Sequence, residues 1–356
     1  MKSEATSRRT KESAGAGFDF AGRFSSRLKG QPAAVRSITS YIELHKSGLT
    51  PEGRPAGVFL LLGPTGTGKT QTVETLAELL HGNPRYMIKV DCGEFQTEHE
   101  VARLIGAPPG YLGHRETQPI FTQQKLASVT SEQCGLAVVL FDEIEKAAPA
   151  VTRLLLGVLD RGVLHLGDNT SVDFENTLIF LTSNLGARSM QRELNPSFGF
   201  SRTCDRRSGE SARKLESIAL SAVRRRFSPE FVNRIDSVIT YQPLRREALA
   251  GILDQMIRET QSHLDKRLSG RTFRLEVPAR TRSFLLARGT STEFGARELR
   301  RTVQRLIVQP LAAMVAAGKV RPGAIVRTRV DRGRVVLESA ARPTPIERGP
   351  ASAFIR

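Results

Sequence analysis

Cysteine is scarce in this sequence. The three present, Cys92, Cys134 and Cys204, lie far apart with no C-x-x-C among them. So odd and sparse a set argues against a disulfide framework or a thiolate zinc site and points to a reducing compartment. No apolar run approaches the roughly 20 residues that a membrane-spanning helix needs. The amino-terminal stretch carries Lys2, Arg8, Arg9 and Lys11 among small polar residues and lacks the apolar segment of a secretory signal. The sequence therefore reads as cytoplasmic, with no membrane partner. Acidic residues are in deficit: 36 Asp and Glu stand against 53 Lys and Arg, a net charge of +17. That balance suits anionic partners. No basic run is interleaved with aromatics, so nucleic acid is not expected among them.

What is present is enough apolar material for one large and one small domain, 39% of 356 residues. The first stretch with a chemical meaning is Gly63-Pro64-Thr65-Gly66-Thr67-Gly68-Lys69-Thr70, which fits G-x-x-x-x-G-K-[ST] at every defined position. Val58-Phe59-Leu60-Leu61-Leu62 leads into it as a buried strand, and Val73, Leu76, Ala77 and Leu80 follow at helical spacing. Phosphate oxygens crowd the backbone of such a loop, which only glycine allows. Its N–H groups and the helix start then face the anion. Lys69 can reach the β- and γ-phosphates, and the Thr70 hydroxyl can ligate Mg²⁺.

Along the rest of the chain, residues 1–17 read as a basic disordered tail, and residues 339–356, with Pro343, Pro345 and Pro350, as a flexible one. Pro32 marks a helix start. Tyr86–Val90 reads as a second strand. The segment from Leu104 to Gly113 holds two prolines and three glycines, so it is read as irregular, with Tyr111 as a loop aromatic. Ala137–Phe141 is an apolar strand ending in Asp142 and Glu143; one carboxylate can hold Mg²⁺ and the next can polarise a water. Pro149 opens a helix, and a hairpin follows from Val163 to Phe174, turning at Gly167-Asp168-Asn169. Thr177–Ser183 is another buried strand, ending at Asn184, which could orient a water. Strands ending in polar groups on one side predict a parallel sheet with its ligand at the carboxyl edge. Residues 189–211 read as an exposed loop. From Leu244 the pattern changes to a smaller, mostly helical unit with strands near Phe273–Val277, Ala324–Val330 and Arg334–Leu337.

The strings GPTGTGKT, RLIGAPPGYLG, VVLFDEIEKA, SVDFENT, TSNLG, SPEFVNRID and FGARELRR, in this order, resemble the AAA+ ATPases of the Clp family, and in particular the second ATPase module of ClpB, ClpA and ClpC. The resemblance runs from about Phe18 to Leu337. It implies an α/β fold: a P-loop NTPase (AAA+) large domain on a parallel sheet, residues 18–241, then a smaller, mostly helical α+β lid domain, residues 242–338. It implies an ATP-binding and ATP-hydrolysing chaperone or unfoldase that threads polypeptides through a homohexameric ring, using ATP and Mg²⁺. Gly63 to Thr70 would be the Walker A loop, and Gln31 would sit near the adenine. Asp142 and Thr70 would serve Mg²⁺, and Glu143 would activate water. Asn184 would be the first sensor, Arg234 the arginine finger acting on the neighbouring subunit, and Arg297 the second sensor. Tyr111 and Leu112 would form the pore loop that grips the substrate. The resemblance leaves two alternatives: an ATPase subunit of a Clp-type peptidase, docked through Phe198-Gly199-Phe200, or a dedicated remodeller of one partner. The chain carries one such module. It also departs from the family's acidic, glycine-rich pattern at His114-Arg115-Glu116-Thr117, which bears on the dynamics of the pore loop.

Overall fold

The computed structural model describes residues 19–106, 119–194, 208–268, 270, 272–290 and 295–340. The chain divides into two units, one through Pro243 and one from Leu244. The first unit is built on a parallel sheet. Its strands are β1 (Gly57–Leu62), β2 (Ile88–Asp91) and β3 (Ala137–Asp142), and, after a short antiparallel pair β4 (Val163–His165) and β5 (Ser171–Asp173), β6 (Thr177–Ser183) and β7 (Ser237–Thr240). The sheet order is β2-β3-β6-β1-β7, and every neighbouring pair is parallel.

All of β1 and all of β6 are buried, because helices cover both faces of the sheet. Side chains alternate between the faces. Phe59 and Leu61 of β1 join Val138, Leu140 and Phe180 in one core, which receives Phe20, Phe24, Ile38, Ile42, Val73 and Leu76 from three helices. Val58, Leu60 and Leu62 point the other way, toward Val139, Phe141, Ile179 and Leu181 and the helices Pro149–Arg161 and Ser208–Arg226. Phe59 stacks on Phe180 with ring centroids 4.9 Å apart.

Several elements differ from the sequence reading. A helix not placed from the sequence, Phe20–Arg27, precedes the one at Pro32, and its Asp19 side chain accepts a hydrogen bond from the Gly22 N–H. The second strand starts at Ile88, leaving Tyr86 exposed. Part of the expected loop after Ser189 is helical, Ala187–Leu194. The edge strand β7 was not anticipated at all. Among the described residues no helix is long and apolar enough to cross a membrane.

The second unit packs the helices Arg246–Arg267, Ala279–Gly289, Gly295–Val303 and Gln309–Ala316 with a three-stranded sheet of β8 (Arg274–Glu276), β9 (Ile325–Asp331) and β10 (Arg334–Ala340). β9 lies in the middle, parallel to β8 and antiparallel to β10. Leu253, Leu285, Leu299, Ile307 and Val326 anchor its core.

Candidate functional site

β1 ends at Leu62 and the chain turns through Gly63 to Gly68 into the helix Lys69–His81. Gly63 (φ 146°), Gly66 (φ 77°) and Gly68 (φ 104°) occupy backbone conformations that side-chain-bearing residues rarely adopt. At Gly63 a Cβ would also lie 2.8 Å from the Tyr241 carbonyl oxygen. The loop is thus pressed against the end of β7. Tyr241 is fully buried, and burial holds its phenol well above the ordinary range. Its hydroxyl lies 2.6 Å from Thr72 Oγ1, which itself donates to the Gly68 carbonyl at 2.9 Å. Tyr241 O–H is therefore the donor of that pair.

The Lys69 ammonium is buried and donates to the carbonyls of Gly63 (2.6 Å) and Pro64 (3.0 Å) and to Asn184 Oδ1 (2.9 Å). The Asn184 Nδ2 donates to Glu143 Oε1 at 3.2 Å. One amide thus joins the phosphate-loop lysine to the proposed base. Glu143 follows directly on β3 in a left-handed conformation (φ 58°), which turns it out of the strand. Its N–H donates to Thr182 Oγ1 at 2.9 Å, and its carboxylate also pairs with Lys146. The Asn184 N–H is fixed by Glu145 Oε1 at 3.0 Å.

Asp142 sits at the end of β3 between two hydroxyls and an ammonium. Thr182 donates to its Oδ1 at 2.5 Å, Thr70 faces the same oxygen at 3.4 Å, and Lys89 Nζ lies 3.0 Å from Oδ2. Burial alone pushes this carboxyl up. The Thr182 hydroxyl, the Lys89 ammonium and the Thr70 hydroxyl outweigh it, so the group stays below its usual range and ionised. The oxygens of Thr70 and Asp142 are donors of the kind Mg²⁺ takes, and Mg²⁺ typically draws its other ligands from water and phosphate. No group of three or more His, Cys, Asp or Glu side chains that could hold a metal occurs among the described residues.

Gln31 is buried on the far side of the loop. Its Nε2 donates to the carbonyls of Thr67 (3.1 Å) and Gln242 (2.9 Å), and its Oε1 accepts from the Gln242 N–H (3.3 Å). Arg234 follows the helix Pro229–Asn233 and pairs with Asp160 at 2.8 Å. Both line a cavity of about 310 Å³ with Leu156, Arg161, His165 and Glu230. No polar contact of Arg234 reaches the phosphate loop. Its neighbour Asp236 is structural: it pairs with Arg54 and accepts from the Val58 N–H at 2.8 Å.

The structure therefore brings together Lys69, Thr70, Asp142, Glu143 and Asn184, with Gln31 behind the loop. Arg234 stands apart from them, and Arg297 is exposed on the Gly295–Val303 helix of the second unit. Tyr111, Leu112 and Phe198–Phe200 lie outside the described residues. The sequence reading missed Thr182, Lys89, Lys146 and Tyr241. Thr182 carried a usable signal, a hydroxyl at the polar end of an apolar strand. The other three are recognisable only from their partners.

Comparison with known proteins assigns the chain to a family. Residues 54–238 match the model described as "AAA domain (Cdc48 subfamily)", and residues 244–328 match "C-terminal, D2-small domain, of ClpB protein". The chaperone protein ClpB of Meiothermus ruber is 38% identical over 320 residues, 90% of this chain and 34% of that protein. Heat shock protein 100 of Trypanosoma brucei brucei is 37% identical over 311 residues, 86% of this chain and 33% of that protein. Two solved structures similar to this chain are of Hsp104. The closed state with ATPγS and FITC-casein has a TM-score of 0.73 at 30% identity, covering 90% of this chain and 51% of that one. The extended S. cerevisiae Hsp104:casein complex has a TM-score of 0.76 at 28% identity, with the same coverage. The chain spans about a third of the length of the curated relatives it matches.

Proposed function

The chain belongs to the AAA domain family and carries the small domain of ClpB type, and from that premise we propose that it is an ATP-hydrolysing protein unfoldase that works as a ring of identical subunits. The observation that carries the reading is the continuous path from Lys69 through Asn184 to Glu143, beside the Thr70–Asp142 pair.

The residues perform distinct tasks in this reading. The loop glycines let backbone N–H groups approach the phosphates, and Lys69 exchanges its carbonyl partners for phosphate oxygens. That exchange frees the Asn184 amide oxygen, which then faces the attacking water. Glu143 accepts that water's proton. Thr70 and Asp142 hold Mg²⁺, which when bound neutralises charge on the phosphates. Arg234 supplies a guanidinium to the nucleotide of the adjacent subunit, stabilising the charge of the transition state. Arg297 senses the nucleotide from the second unit, and Tyr111 and Leu112 grip the polypeptide by contact area rather than sequence. Polypeptide substrates are proposed by likeness to the casein-bound Hsp104 assemblies. No described residue favours a peptidase partner or a single dedicated client over this reading.

The test is ATPase rate per subunit against protein concentration, with mass measured in ATP, for wild type and Arg234→Ala. A rate that rises with assembly, and is lost in the variant while nucleotide binding persists, is expected. A concentration-independent rate insensitive to the substitution overturns shared active sites.

A further inference from the structure

The positive charge of the chain is not evenly spread. Residues 19–243 carry 26 Lys and Arg against 24 Asp and Glu, while residues 244–340 carry 20 against 9. Residues 244–340 alone therefore hold +11 of the total +17. Eighteen of its 20 cations are arginine.

Many of these arginines are uncommitted. Ion pairs take up Arg282, Arg301, Arg327 and Arg329, at distances of 3.2, 3.9, 2.9 and 3.0 Å. Arg258, Arg280, Arg305, Arg321, Arg332 and Arg334 are exposed and have no side-chain hydrogen bond or ion pair among the described residues. Arg332 and Arg334 project from the tight β9–β10 turn, where Arg332 (φ 45°) and Gly333 (φ 76°) are both left-handed. Arg288 reaches the same turn, donating to the Gly333 carbonyl at 3.3 Å. The helix Ala279–Gly289 packs on β9, and the turn Gln304–Val308, which bears Arg305, packs on β10. The cations thus belong to adjoining elements of one small unit.

Self-repulsion at this density costs stability unless an anion relieves it. Guanidinium groups match phosphate geometry through paired N–H donors and shed water more readily than ammonium groups. An excess of arginine over lysine therefore favours phosphate. We propose that the second unit binds the phosphodiester backbone of nucleic acid. Its two described aromatics are not exposed: Phe273 is buried and Phe284 half-buried. The described residues thus offer bases no exposed ring, and the contacts proposed are to phosphate, which carries no sequence information, so the binding is independent of base sequence. This departs from the expectation drawn from the sequence, which weighed total charge and missed its location.

The experiment is fluorescence anisotropy of a fluorescein-labelled DNA duplex of about 20 base pairs titrated with the full chain. Raising salt from about 50 to about 200 mM is expected to weaken binding roughly a hundredfold, as about four phosphate contacts require. Arg332→Glu with Arg334→Glu is expected to lower the log–log salt slope by about 2 and to weaken two unrelated duplexes equally. The exposed first-unit pair Arg224→Glu with Arg225→Glu leaves both affinity and slope unchanged. Retained ATPase activity shows that each variant is folded. Should the turn variant misfold, Arg258→Gln with Arg305→Gln repeats the test by lowering the slope by about 2. Absence of binding at about 50 mM salt overturns the proposal, as does equal weakening by the first-unit pair. A preference of one duplex over the other overturns its backbone-only character.

Discussion

Arg234 and Asp160 form an ion pair at 2.8 Å, with each side chain 39% exposed. So exposed a pair contributes only about 0–1 kcal/mol to folding. Its interest is that the partner of the proposed finger belongs to the same subunit, so acting on a neighbour requires Arg234 to leave Asp160. Asp160→Asn is expected to leave the thermal midpoint nearly unchanged and to lower the protein concentration at which ATPase activity reaches half its maximum. A midpoint loss without any shift in that concentration makes Asp160 merely structural.

Lys89 occupies the oxygen of Asp142 opposite to the one Thr182 and Thr70 face. It competes for the carboxylate proposed to hold Mg²⁺. Lys89→Met removes that competition and is expected to tighten Mg²⁺ by up to about fivefold, the equivalent of the ~1 kcal/mol a partly exposed pair is worth. Titration calorimetry of Mg²⁺ into the ATP complex reads this directly. Weaker Mg²⁺ binding would instead assign Lys89 to holding Asp142 in place.

Gly63 packs its α-carbon where a methyl group would meet Tyr241. Gly63→Ala is expected to cost about 1–3 kcal/mol through backbone strain and to abolish nucleotide binding. The chain contains no tryptophan, so denaturation is best followed by circular dichroism. Unchanged stability would show that β7 yields to the loop.

Cys92 is a buried thiol among carboxylates. Burial first, then Asp91, Asp142, Glu145 and Glu143, push it from 9.0 up to about 12. It stays protonated at neutral pH, so iodoacetamide is expected to modify half-buried Cys134 well before Cys92 in the native protein, and both in urea. From about pH 9 upward the unfolded chain releases this proton while the folded chain keeps it, so the contribution is intact below that pH and is lost as the pH rises toward 12. Cys92→Ala should flatten the alkaline limb of the urea midpoint. An equally steep limb in the variant excludes Cys92 as its source.

What could be read from the sequence was local. Gly63 to Thr70, Asp142-Glu143 and Asn184 each follow a buried strand, so the strand pattern and the polar end appear within a few residues of one another. The contacts of Thr182 with Asp142, and of Tyr241 with Thr72, depend on β3–β6 register and on β7 closing against β1. Such distances along the chain leave no periodic trace. β7 escaped notice because Ser237-Val238-Ile239-Thr240 is short and follows the charged turn at Asp236. The helix Phe20–Arg27 contains Gly22, Ser25 and Ser26, weak helix formers, and is held by burial of Phe20 and Phe24. Arg234 was legible as a motif residue, but its attachment to Asp160 was not.

The central strand has a consequence for how the molecule is made. Leu60 pairs with Leu181 on one side and with Val238 on the other. Both neighbours of β1 are thus synthesised long after it. A ribosome must deliver β7 before the apolar run Val58–Leu62 is fenced in and the phosphate loop acquires its Tyr241 backing. Until then the nascent chain presents an uncharged β-prone segment with an open edge, the kind that nucleates aggregation. Translation stalled between residues 184 and 236 would therefore release a product more hazardous to the cell than one stalled before Gly57.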